Sequence, residues 1–169
     1  MMVLSILAAL AAPQAADPLA PAREGKMQCY APDIAAKTCK ALAGYELQPD
    51  GSYANTALVL LGISPVITME TVTDVIVRDD AVCGYTTEDD LRTATIRVDG
   101  APMTGAPADS FRDQLVSAMS SAIGPEICTR YLPDGDRLRT EITYDGEVGA
   151  DTAIPVIWVS PEDGYRVAP

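Results

Sequence analysis

The sequence predicts an α+β protein: one domain with a mostly antiparallel sheet, two main helices and two disulfides. Three observations lead there. Between Val66 and Tyr85 the chain alternates apolar and polar residues around an acidic turn. Between Asp109 and Ile123 apolar residues instead recur at helical spacing. Four cysteines accompany an apolar N-terminal block, and the chain contains no histidine.

The block Val3–Ala12 has the length of a signal-peptide hydrophobic region, and small residues follow at Ala15 and Ala16. Residues 1–16 are therefore expected to be a signal peptide, although no Lys or Arg precedes the block. It is too short to span a bilayer, which takes roughly 20 residues. Cys29 stands well past it, which argues against a lipid anchor. Arginine outnumbers lysine nine to three in an alanine-rich chain, as in proteins of GC-rich bacterial genomes. A periplasmic or secreted bacterial protein is the expectation.

Residues 17–26 carry Pro18, Pro21 and Gly25 and read as a flexible leader, with one α+β domain over 27–169. Pro32–Ala43 reads as the first helix: Pro32 suits its first turn, Asp33 and the pair Lys37 and Lys40 suit its dipole, and Gly44 would stop it. Tyr53–Ile63 reads as a strand, ended by Ser64-Pro65. In Val66–Arg78 the odd positions Ile67, Met69, Thr71, Thr73, Val75 and Val77 form the face to be buried, while Glu70, Asp74 and Arg78 face outward. Asp79-Asp80 turns the chain into a return strand carrying Cys83. This hairpin reads as central scaffold, with function expected in the loops around it.

Thr87 with Asp90 marks the start of a helix with room for one turn, and Ala94, Ile96 and Val98 alternate as a strand. Asp109 is the expected N-cap of the second main helix, whose stripe is Phe111, Leu115, Ala118, Met119 and Ala122, with Gly124-Pro125 as its end. Ile127–Leu132 and Leu138–Tyr144 flank the turn at 133–136 and predict a β-hairpin. Ile154–Val159 reads as a buried strand with Pro155 at its start.

Composition narrows function further. The chain has 169 residues, 48% hydrophobic and 21% charged, which suits one folded domain. Aromatic residues make up 5%, so the core is expected to rest on aliphatic and alanine packing, with tyrosines at its margins. A net charge of −12 opposes nucleic acid and anionic membranes. The expected partner is a protein or small molecule, and a cationic one is compatible with the field. No integral membrane span is expected in the mature chain.

In an oxidising compartment the four cysteines predict two disulfides, and the favoured pairing is Cys29 with Cys39 and Cys83 with Cys128. Loop-closure entropy makes them worth about 2.8 and 4.0 kcal/mol. Their spacing does not resemble paired metal-ligand motifs.

Without histidine, Ser-His-Asp and Cys-His catalysis, HExxH zinc sites and His-ligated metals are closed to the chain. Glycine-rich nucleotide loops are absent too, so no cofactor is expected. Glu70 and Asp74 share a strand face but lie about 13 Å apart, against roughly 5–9.5 Å between glycosidase carboxyls. Asp79-Asp80 with Glu88-Asp89-Asp90, and Asp134-Gly135-Asp136, lack the spacing of a calcium loop. Arg130, Arg137 and Arg139 could hold an anion but read better as cross-strand partners of Glu141 or nearby aspartates. A non-enzymatic, disulfide-stabilised binding or structural module is the leading expectation. The alternatives are an acidic inhibitor of a cationic envelope-degrading enzyme and a carboxylate-dependent hydrolase.

Overall fold

The computed structural model describes residues 17–150 and 152–169, so the expected signal segment lies outside the described residues. In chain order the elements are β1 (Met27–Tyr30), β2 (Thr38–Cys39), β3 (Ala41–Leu47), β4 (Tyr53–Ile63), β5 (Val66–Arg78), β6 (Ala81–Tyr85), α1 (Glu88–Thr93), β7 (Thr95–Val98), β8 (Ala101–Pro102), α2 (Gly105–Ala118), β9 (Glu126–Asp134), β10 (Arg137–Tyr144), β11 (Glu147–Val148), β12 (Pro155–Val159) and β13 (Arg166–Val167).

Eight strands close into an antiparallel barrel in the order β4-β3-β1-β12-β10-β9-β6-β5, with β5 pairing back onto β4. The α+β expectation thus holds in part: two helices are present, but sheet dominates and is rolled shut. Closure satisfies the backbone groups that an open sheet would leave at its edges. The 13-residue β5 makes this geometry possible. Its C-terminal part pairs with β6 through Val75–Arg78, and its N-terminal part pairs with β7 through Ile67–Glu70. One half of the strand therefore belongs to the barrel wall and the other carries the helical layer.

The register fixes which residues face the lumen. Cross-strand partners share a face, so Gln28 and Tyr30 on β1 lie on the same side as Ala43 and Ala41 on β3. Continuing around, Tyr45 opposes Asn55, Asn55 opposes Thr73, Val75 opposes Gly84, and Thr129 opposes Val82. The odd positions of β5 point inward as expected, and Val72, Asp74, Ile76 and Arg78 on the other face are exposed.

Two helical pieces cover the barrel. At the end carrying the Asp79–Asp80 turn, a 3-10 helix over Ala20–Glu24 presses Leu19 and Ala22 against Tyr53 and Val82, with Trp158 and Val77 packed beside them. Leu19 is completely buried. Residues 17–26 are therefore not the flexible leader expected from Pro18, Pro21 and Gly25. Pro21 suits the first helical turn, and Gly25 ends the helix at φ 80°. The same residue types that mark loops here shape a plug, because Leu19 has an apolar barrel end to fill. Arg23 holds it by donating to the Tyr53 hydroxyl at 3.0 Å and by pairing with Asp17.

On the other side, Leu91, Ala94, Ile96 and Met69 form a cluster with Phe111, Leu115 and Met119 of the α2 segment. Thr87 and Asp90 make a reciprocal capping box on α1. Helix α2 starts earlier than expected, at Gly105 with Thr104 rather than Asp109 as N-cap, and ends at Ala118. Pro107 is accommodated because the first-turn N–H groups have no intrahelical acceptor anyway.

The expected helix at Pro32–Ala43 does not form. Residues after Tyr30 turn, with Ala31 and Lys37 at φ 47° and 52°, and the chain then enters β2 and β3. Backbone pairing of β3 with both β1 and β4 outweighs the modest helix preference of an alanine-rich stretch. Cys39 therefore reaches Cys29 from a short strand rather than from a helix, at a Cα separation of 5.4 Å. Cys83 bonds to Cys128, its direct cross-strand neighbour, at a Cα separation of 4.0 Å. Both bridges lie on the outer face. No helix among the described residues is long and apolar enough to cross a membrane.

Candidate functional site

Inside the barrel, a polar cluster stands beside the aliphatic and alanine packing that composition suggested. Gln28 is fully buried on β1, between Ala43 of β3 and Trp158 of β12. Its Oε1 accepts hydrogen bonds from the Tyr30 hydroxyl at 2.8 Å and the Tyr45 hydroxyl at 2.7 Å. Tyr30 and Tyr131 hydroxyl oxygens lie 2.6 Å apart, and those of Tyr45 and Tyr131 lie 3.4 Å apart. Gln28 Nε2 is buried without a hydrogen-bond partner among the described residues. Such a group is uncommon in folded proteins and calls for a physical reason.

The cluster borders a cavity of about 160 Å³ inside the barrel. Tyr30, Tyr45 and Tyr131 line it together with Asn55, Thr73 and Thr129; Val75, Val82 and Ile127 supply its apolar wall. Gly84, Tyr85 and Thr86 line it where β6 leads toward α1. A side chain at position 84 would intrude: an added Cβ would stand 2.9 Å from the Asp74 carbonyl oxygen and from Val75 Cγ1. Asn55 donates to the Gly44 carbonyl oxygen at 3.1 Å, which ties its amide to β3.

None of the twelve lining residues is a Lys, Arg, Asp or Glu. Burial is the main force on the three phenols: it pushes Tyr30 and Tyr45 well above the usual tyrosine range and raises Tyr131 as well. Tyr45 and Tyr131 add to the rise at Tyr30, and Tyr131 adds to that at Tyr45 while the Tyr30 hydrogen bond partly offsets it. Hydrogen bonds within the cluster also pull Tyr131 partly back. The phenols thus remain neutral hydrogen-bonding groups at physiological pH. They are unsuited to act as general bases there.

A wider groove of about 780 Å³ lies at the barrel end, between the 3-10 helix and the β9–β10 hairpin, and shares Tyr131 with the cavity. Several of its charged groups already have partners. Arg130 pairs with Asp80 at 3.0 Å and approaches Glu141 at 3.9 Å, and Arg137 approaches Asp136 at 3.6 Å. Asp17 pairs with Arg23. The arginines singled out in the sequence as an anion site, Arg139 excepted, thus stand in ion pairs with carboxylates.

The other candidate groups are dispersed. Glu70 faces outward and pairs with Arg97 at 3.5 Å. Asp79-Asp80 and Glu88-Asp89-Asp90 are separated by the length of β6, and Asp90 caps α1. The tyrosines expected at the core margin include three at the centre of the lumen. Their inward placement had one legible trace, the period of two that sets Gln28 and Tyr30 on one face of a short strand. Nothing local joins them to Tyr45 or Tyr131; only barrel closure does.

No protein-family model matches the chain, and neither the curated proteins nor the solved structures offer a significant match.

Proposed function

We propose that this protein is an exported, disulfide-stabilised binding protein whose ligand site is the barrel lumen. One observation carries the reading. A fully buried glutamine and three tyrosines form a hydrogen-bonded cluster, and the three tyrosines line a cavity. A polar network inside a small core is expensive unless every member finds a partner. Where stability alone were at issue, aliphatic side chains would fill the same space at less risk.

Binding is favoured over catalysis by the lining itself. Hydrolysis through carboxylates needs two acids at working separation, and the cavity wall offers neutral amide, hydroxyl and apolar groups instead. Export is supported by the two disulfides, which persist in oxidising compartments.

The test is a thermal-shift screen of the disulfide-intact protein against a library of small anions, cations and neutral molecules. Thr73→Phe, which fills the cavity from β5, is screened in parallel. At least one compound is expected to raise the melting temperature of the wild type and to lose that effect in the variant. A ligand at about one hundred times its Kd stabilises by about 2.7 kcal/mol. No stabilising compound in any charge class would remove the lumenal reading.

A further inference from the structure

Resting on the lumenal reading, we propose that the ligand is a small, neutral, ring-sized molecule that donates a hydrogen bond to the tyrosine cluster. Size, charge and hydrogen-bond direction each restrict it.

The size limit comes from the cavity of about 160 Å³. An apolar protein cavity of about 150 Å³ holds benzene. One ring with one or two substituent atoms fills that space, whereas most of a fatty acid or a nucleotide would extend beyond it. The wall matches such a molecule, with Val75, Val82 and Ile127 contributing apolar surface and Thr73, Thr129 and the phenols contributing polar surface.

Charge is excluded from two directions. An anion would meet no cationic lining residue and would lose hydration in the same environment that suppresses tyrosinate formation. The chain's charge of −12 also opposes its approach. A cation is attracted by that outer field, but the lining offers no carboxylate to replace its hydration.

The direction of the hydrogen bond follows from counting protons. Each phenol owns one. Those of Tyr30 and Tyr45 are committed to Gln28 Oε1. The contact of 2.6 Å between Tyr30 and Tyr131 must then use the Tyr131 proton. Gln28 Nε2 is buried, and Gln28 is not among the lining residues. With all three phenol protons engaged, the cavity side of the cluster therefore offers lone pairs on the Tyr45 and Tyr131 oxygens, and a matching ligand brings an O–H or N–H. Gln28 is the positioning residue, since its carbonyl oxygen orients two of the protons.

Five single-ring probes test the proposal on the disulfide-intact wild-type protein by calorimetry: phenol, anisole, toluene, benzoate and benzylammonium. Phenol is expected to bind and to shift the ring resonances of Tyr30, Tyr45 and Tyr131. Anisole and toluene, which cannot donate, should bind about tenfold more weakly, as expected for one buried hydrogen bond left unmade. Benzoate and benzylammonium should give no measurable heat. In Gln28→Leu the tyrosine protons are released, and the phenol-to-anisole preference should fall toward unity; an unchanged preference would refute the assigned proton directions.

The wild-type outcomes separate the ideas. Anisole binding as tightly as phenol overturns the proton count. Tighter binding of either ion overturns neutrality while leaving the lumen as the site. If all five probes fail but another compound binds in a Thr73→Phe-sensitive manner, the ligand class is wrong and the lumenal reading survives. If no compound binds at all, both fall together.

Discussion

Replacing Leu19 by alanine tests whether the segment before β1 is part of the fold. Leu19 is completely buried, and its cluster includes Ala22, Tyr53 and Val82, with Trp158 packed alongside. Burying a leucine side chain stabilises by about 1.5–3 kcal/mol, and truncations that leave a cavity reach about 2.7–5.0 kcal/mol. The 3-10 helix sits at the barrel end and can settle inward, so the low part of that range applies, about 3 kcal/mol. For a chain of this size that lowers the melting temperature by about 6–12 °C. Urea unfolding followed by tryptophan fluorescence is the natural assay, because Trp158 is the sole tryptophan and belongs to the same cluster. A loss below about 1 kcal/mol with unchanged Trp158 emission would refute the reasoning. The segment would then be the loose leader that its prolines and glycine first suggest.

Three further outcomes are expected. Removing Cys83–Cys128 by double alanine substitution should destabilise more than removing Cys29–Cys39, by about 4.0 against 2.8 kcal/mol, because it closes 45 rather than 10 residues; paired denaturation midpoints measure the order. Gly84→Ala should cost about 1–3 kcal/mol by overpacking, since its Cβ would meet a backbone carbonyl oxygen that cannot swing aside; chemical denaturation reads that loss. The tyrosine cluster makes stability fall in alkali. Folded pKa values above the unfolded one mean that the unfolded chain releases protons first, so stability is full below about pH 10 and declines above it, by up to about 1.4 kcal/mol per pH unit for each tyrosine. Alkaline unfolding curves should flatten in Tyr30→Phe, and a curve identical to that of the wild type counts against the buried cluster.

Local patterns and long-range closure contributed differently to what could be read. The β5–β6 hairpin, the capping box at Thr87, the β9–β10 hairpin and the strand opening at Pro155 all appear near their expected positions. Each is encoded by spacing within a few residues. The Pro32–Ala43 segment misled because helix caps and alanine content are local signals, whereas its actual pairing partners lie on β1 and β4. The leader misled for the same reason. Pro18, Pro21 and Gly25 advertise a loop, and only the barrel end explains why Leu19 stays put.

The hairpin Val66–Tyr85 shows the division within a single element. Its alternation distinguishes the inward face from the outward one, yet it cannot say what the inward face borders. In the structure the N-terminal part of that face, at Met69, packs under the helices, while Thr73, Val75 and Gly84 line the cavity. The hairpin is scaffold and cavity wall at once.

By itself, the sequence determined the periodicities, the turns, the absence of histidine, the strongly acidic charge and a supply of cysteines sufficient for two bridges. These are properties of neighbouring residues or of composition, and no folding is required to state them. Only the tertiary structure decided that the sheet closes, and closure created the interior where Gln28, Tyr30, Tyr45 and Tyr131 meet. The first and last of them, Gln28 and Tyr131, lie 103 positions apart, and beyond the alternation that places Gln28 and Tyr30 on one face no short-range pattern relates them. Their neutral hydrogen-bonding character also comes from enclosure, since burial is what raises the phenol pKa values and removes the competing water.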